Sequence, residues 1–167
     1  MATQGLEPDL IEGLISSSRE VMETMVFMTP EAIDATNGDE IEVHPNSFTS
    51  EVICTLGFTG TRSGAVVVTS SKALACRIAA KMLMMEPDEF ESFSEAADGF
   101  GEVVNMITGN FKNAWVAKGN EMHLAVPTVS QNGEVHIHHK EGEINCRIRV
   151  VLEGEPLEVT VLFEGQD

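Results

Sequence analysis

The 167-residue sequence predicts an α+β fold of two layers: long helices packed on one mostly antiparallel sheet, built as two pseudo-repeated helix–strand halves. Three observations carry this. Two long stretches hold apolar residues at three-and-four spacing, the period of a helix with one buried stripe. Strand-like runs follow one another across tight turns, which pairs neighbours antiparallel. Finally, "EVMETM" at 20–25 lines up with "EVVNMI" at 102–107, and the same shift sets Ile11, Leu14 and Met25 over Phe93, Ala96 and Ile107. The halves run about 6–85 and 88–167 within a single domain, 1–167, and their long helices are expected side by side over a shared sheet.

Residues 8–29 read as the first helix, with Ile11, Leu14, Ile15, Met22 and Met25 as its stripe, Pro8 in the first turn and Pro30 as the stop. Asn37, Gly38 and Asp39 make 31–47 a loop, with room for a short edge strand at 41–43. Strands follow at 51–58 and 63–69. Ser70 or Ser71 caps a helix whose buried stripe is Leu74, Ala75, Ile78, Ala79 and Met82, ended by Pro87. Met82, Met84 and Met85 read as core filling. The second long helix spans "SFSEAADGFGEVVNMITGNFKNAWVAKG"; Ser92 and Glu95 have capping-box spacing, Gly119 is the stop, and Trp115 packs against the sheet. Strands are expected at 121–128, 134–139, 143–152 and 157–163, divided by turns at Asn132-Gly133, Glu141-Gly142 and Gly154 through Pro156.

Composition narrows the function. A formal charge of −17 opposes nucleic acid and anionic membrane surfaces, both of which require clustered Lys and Arg. It favours a partner with a basic patch. The first ten residues, "MATQGLEPDL", lack a secretory signal, and no apolar run reaches bilayer length, so a cytoplasmic protein is expected. Cys54, Cys76 and Cys146 are odd in number and set among apolar residues, and read as buried free thiols.

The chemistry concentrates in "GEVVNMITGN", 101–110. On a helix, Phe100, Val104, Ile107, Phe111 and Ala114 share one side, while Asp98, Glu102, Asn105, Gly109 and Lys112 fall opposite. Glu102 and Asn105 are therefore neighbours facing solvent. A Glu and an Asn on such a face are usually no more than a wetted surface. Three features argue for more here. Asn is a poor mid-helix residue, because its amide competes for backbone hydrogen bonds. Gly99, Gly101 and Gly109 weaken the same helix by roughly 1 kcal/mol each, which suggests close approach by a neighbouring helix or a docked partner. Val103 and Met106 flank the pair as apolar shoulders, the composition of a small docking surface.

This segment resembles the signature helix of the chemotaxis phosphatases of the CheC, CheX and FliY family: a Glu, two residues, an Asn, and a Gly four residues later. Glu102, Asn105 and Gly109 supply all three. The likeness extends over most of the chain, through the two long helices, the strands after each, and the repeat. It implies a phosphatase acting on the aspartyl phosphate of a CheY-like response regulator. Asn105 would orient the attacking water and Glu102 would pair with the regulator's active-site Lys. Asp98, Val103, Met106, Gly109 and Lys112 would contact the partner. The resemblance implies no cofactor or metal on this chain, with Mg²⁺ held by the regulator. The first half departs from the CheC pattern, since Glu20 and Glu23 stand where Glu and Asn are wanted. One active helix per chain is the CheX arrangement, which implies a homodimer. The alternative is a non-catalytic module that docks on a regulator or the flagellar motor.

Two other motifs carry less. His136, His138, His139 and Cys146 fall on an expected hairpin and could form a metal site, but Lys140, Glu141 and Glu143 mark a solvated strand. "GFTGTRSG" at 57–64 leads into a strand rather than a helix, so it is no nucleotide loop.

Overall fold

The computed structural model describes residues 4–5, 7–37, 47–136 and 144–164. Eight strands form one sheet: β1 (Gln4–Gly5), β2 (Ala32–Asn37), β3 (Ser47–Gly60), β4 (Gly64–Ser70), β5 (Met122–Leu124), β6 (Thr128–His136), β7 (Ile144–Leu152) and β8 (Glu155–Phe163). Three α-helices, α1 (Pro8–Thr24), α2 (Lys72–Met82) and α3 (Phe93–Val116), lie on one face, as the α+β expectation requires.

The sheet runs β1-β7-β8-β4-β3-β5, with β2 also on β7 and β6 also on β3. Among the described strands, only β3–β4 and β7–β8 are sequential hairpins, and these meet at the centre through β4 and β8, register Val66↔Val161. The strand after each long helix crosses to the far hairpin: β2 pairs β7, while β5 and β6 pair β3. The halves thus interlock. The turn expected at Asn132-Gly133 is not a hairpin. Asn132 adopts a φ of +51° in mid-β6, and pairing continues from Ser50↔Gly133 to Val52↔Gln131. The supposed hairpin joining His136 to Cys146 is likewise corrected, because β6 and β7 lie towards opposite edges with β3, β4 and β8 between them. The edge strand expected at 41–43, the Glu141-Gly142 turn, His138 and His139 lie outside the described residues.

Period-two alternation sorts the sheet's faces. Val52, Cys54, Val66, Val68, Ile148, Val150, Val159 and Val161 point into the helix layer, while Ile53, Val67 and Leu162 form a small cluster apart from it. α1 packs on α3 closely: a Cβ added at Gly13 would meet the Ala114 Cβ at 3.1 Å, and buried Ser17 donates its hydroxyl to the Ile107 carbonyl at 2.6 Å. α1 buries Leu10, Leu14, Val21 and Met22. Its helix stops at Thr24, five residues short of the expected end, so Met25 turns outward at 45% exposure. Met84 is also corrected: it follows the end of α2, takes a left-handed φ of +57°, and is 83% exposed rather than core. Trp115 is buried as expected; its ring sits 4.8 Å from Phe163 and its Nε1 donates to the Glu121 carbonyl. Cys54 and Cys146 are buried free thiols, with burial holding their pKa values up at about 12 and about 11; Cys76 is half-buried.

One polar cluster ties α2 to the β7–β8 turn. Ser71 caps α2 by accepting from the Leu74 N–H at 3.1 Å, and donates to Glu155 at 2.7 Å. Arg77 pairs with Glu155 and with Glu153, whose φ of +50° joins Gly154 at +80° in the two-residue turn. The hydrogen bond from Arg77, then that from Ser71, holds the Glu155 carboxyl below its ordinary range. A depressed carboxylate contributes stability present above the ordinary Glu pKa and lost as pH falls through the lowered value. Ser71→Ala should therefore cost about 1 kcal/mol at neutral pH in chemical denaturation. Arg77→Met should shrink the drop in melting temperature between pH 7 and pH 3, as measured by circular dichroism.

Candidate functional site

α3 carries the predicted site. Its start differs from a capping box: Ser92 makes no side-chain cap bond, and Glu95 instead accepts from the Glu91 N–H at 3.2 Å, one residue further upstream. The helix is fixed in rotation by Phe100, Val104, Ile107 and Phe111, none more than 1% exposed. Full burial of each such side chain contributes about 1.5–3 kcal/mol, so rolling the helix by one position would cost more than any surface contact returns.

That rotation aims the polar face outward. Asp98 and Glu102 are exposed, while Asn105, Gly109 and Lys112 are half-buried. Glu102 and Asn105 sit one turn apart. Among the described residues, the side chains of Asp98, Glu102, Asn105 and Lys112 have no hydrogen-bond or ion-pair partner. The carboxamide of Asn105 is thus not committed to holding the fold together. Met106 is half-buried and leans on the core. Val103 is corrected: at 1% exposure it is part of the core and provides no apolar shoulder, because its position faces the helix layer's interior.

The three glycines separate by environment. A Cβ at Gly99 would meet the Ala79 Cβ at 3.0 Å, so this glycine permits close packing of α2. At Gly109 a Cβ would meet nothing within 4 Å, which leaves open space beside Asn105. Gly101 lines a cleft of about 650 Å³ together with Phe93, Ala97, Asp98 and Glu102 on one wall and Val126 and Pro127 on the other. The β5–β6 connection that builds this second wall was missed in the sequence, where 121–128 reads as one strand. The apolar pair Val126-Pro127, with a residue type that stops central strands, was the available signal.

The matching positions of the first half, Glu20 and Glu23, are also exposed, and Arg19 lies 3.8 Å from Glu23 across one helical turn. Among the described residues no group of three or more His, Cys, Asp or Glu could hold a metal ion. No helix among them is long and apolar enough to cross a membrane.

An interlocked, mostly antiparallel sheet under paired long helices is the CheC-like two-layer architecture. The family model for the chemotaxis phosphatase CheX matches residues 52–150, more than half of the chain. The protein belongs to this family. Similar solved structures include a CheC-like superfamily protein from Shewanella sp. PV-4, 26% identical over 96% of this chain and 100% of that one, with a TM-score of 0.74. A CheX from Desulfovibrio desulfuricans is 22% identical over 93% and 99%, with a TM-score of 0.74. A third is a chain of the CheX–CheY complex with beryllofluoride and Mg²⁺ from Borrelia burgdorferi; it is 19% identical over 95% and 99%, with a TM-score of 0.74. No curated protein sequence matches the chain.

The glycine environments predict opposite outcomes for one substitution. Gly109→Ala should raise stability by up to about 1 kcal/mol, since helix propensity improves and the space is open. Gly99→Ala should lower it, because the new methyl crowds Ala79. Thermal melts of the two variants check this.

Proposed function

We propose that this protein dephosphorylates the aspartyl phosphate of a CheY-like response regulator, with Asn105 as the catalytic residue and Glu102 as the docking contact. The observation that carries the reading is the outward, uncommitted amide of Asn105 one turn from the Glu102 carboxylate, on a helix whose rotation the core fixes. Membership of the phosphatase family supports it. So does the likeness to the Borrelia complex of CheX and CheY with beryllofluoride and Mg²⁺.

The residue types suit the reaction. An acyl phosphate is already activated, and its in-line transition state is loose, so placing the water is most of what a catalyst must add. A carboxamide can donate to a phosphoryl oxygen and accept from a water hydrogen with no change of protonation. The phosphoryl group and Mg²⁺ belong to the regulator. Glu102 would pair with the regulator's active-site Lys and hold α3 in register, with Asp98, Met106, Gly109 and Lys112 around the contact.

The same logic silences the first half. Glu23 would bring a second anion to the phosphoryl group, and two unit charges 4 Å apart repel by about 4 kcal/mol at an effective dielectric of 20. One active helix per chain follows. We further assign the protein to the cytoplasm, where response regulators act, and to a homodimer as the resemblance implies.

A time course of phosphoryl loss from CheY-like regulators tests the reading. Asn105→Ala should lower kcat on the order of 10²-fold or more. Glu102→Ala should chiefly raise KM, with a loss that shrinks as salt is added. Wild-type binding with no acceleration would overturn catalysis and leave a docking module.

A further inference from the structure

The cleft beside Glu102 has no part in the water-placing chemistry, yet its two walls are distinct. α3 supplies Phe93, Ala97 and Gly101, with Asp98 and Glu102 as its carboxylates. The β5–β6 connection supplies Val126 and Pro127, and the start of β6 supplies Val129 and Gln131. A single exposed valine is ordinary on a protein surface. Val126, 84% exposed, differs because it stands across a cleft from two carboxylates that have no cationic partner among the described residues.

Gly101 supports the same view. A Cβ there would lie 3.5 Å from Val129 and 3.7 Å from Pro127, ordinary contact distances, so packing does not demand glycine. Glycine also weakens a helix interior. What it does provide is depth in the cleft. Glu102 belongs both to this cleft and to the pair with Asn105, so a molecule seated at Asn105 brings its adjoining surface over the cleft. The occupant's chemistry follows from the walls: a basic side chain for Asp98, since Glu102 is taken by the regulator's active-site Lys, and an apolar one for Val126, Pro127 and Phe93. The chain's charge of −17 favours the same sign of partner.

We propose that this cleft seats a segment of the response regulator that carries a basic and an apolar side chain next to its phosphoryl pocket, and that it sets affinity and regulator choice rather than rate. The proposal rests on the phosphatase reading above. A regulator lacking that segment would reach Asn105 without being held.

The test uses the full chain and CheY-like regulators loaded with beryllofluoride and Mg²⁺ as a stable phosphoryl mimic. Binding is measured by calorimetry at low and high salt, in parallel with time courses of phosphoryl loss. Val126→Asp and Gly101→Leu should each weaken binding about tenfold and raise KM by a similar factor, with kcat moved less than about twofold. Asp98→Asn should flatten the salt dependence. If wild type accelerates phosphoryl loss and both cleft variants bind as wild type does, the cleft proposal fails while the phosphatase reading stands. A fall in kcat with KM unchanged would also overturn it, since the substitutions would then be acting by displacing α3. Should wild type neither bind nor accelerate any regulator tried, the phosphatase reading fails and the cleft proposal with it.

Discussion

The rotation of α3 about its own axis is the constraint from which the candidate site follows. Phe100, Val104, Ile107 and Phe111 are buried on the helix layer's inner side. With that stripe inside, side chains near the opposite angle have nowhere to go but out, and Glu102 and Asn105 are among them. No separate interaction is needed to turn them outward, Glu102 fully and Asn105 in part. Their outward direction is what remains once the core has been satisfied, and so the geometry of the pair is as stable as the core itself. A site on a rigid helix is held more exactly than one on a loop, which suits chemistry that depends on placing one water molecule.

The sheet beneath makes that rotation hard to change. Each half sends the strand after its long helix to the other half's hairpin, and β4 and β8 close the centre. Neither half can shift without breaking strand pairs on the far side. α1 adds a lateral stop through the close approach of Gly13 to Ala114 and the buried hydrogen bond from Ser17 to Ile107. At the opposite flank, Gly99 lets α2 press against α3. Lys118, near the C-terminal end of α3, pairs with Glu7 and Asp9 at the start of α1 and closes the far end; those partners raise its pKa, while Lys118 lowers that of Asp9. These contacts are exposed and add little to stability, but they agree with the packing.

Much of this was legible in the sequence, because the strongest signals there are periodic. The stripe on α3, the cap at Ser71 and the β3–β4 hairpin follow from local chemistry, and the structure places them as expected; the turn at Gly154 is there too, but it is Glu153-Gly154, with Glu155 and Pro156 already in β8. Partner choice between strands is non-local and was read wrongly: neighbours in sequence were paired across Asn132-Gly133, whereas β6 joins β3. Val103 was misplaced because the stripe is wider than a single row, and a residue at its margin can face either way. Met25 and Met84 were misplaced because each follows a helix end whose position depends on tertiary contacts. The Glu102–Asn105 pair needed only helical spacing. The cleft wall at Val126 and Pro127 needed the fold.

The two halves also show how little separates a candidate site from a bare surface. Glu20 and Glu23 occupy an outward face much like that of Glu102 and Asn105, and differ by a carboxylate in place of an amide. Against a phosphoryl group that exchange replaces a donor with an anion. The whole account therefore turns on what the Asn105 side chain touches when a regulator is bound. The most direct measurement is the side-chain NH₂ resonance of Asn105, selectively ¹⁵N-labelled, during titration with a beryllofluoride-loaded CheY-like regulator. The account predicts a large shift and slowed hydrogen exchange at that amide, with the Glu20–Glu23 face of α1 unaffected. An unperturbed Asn105 resonance in a saturated complex, with shifts on α1 instead, would contradict it.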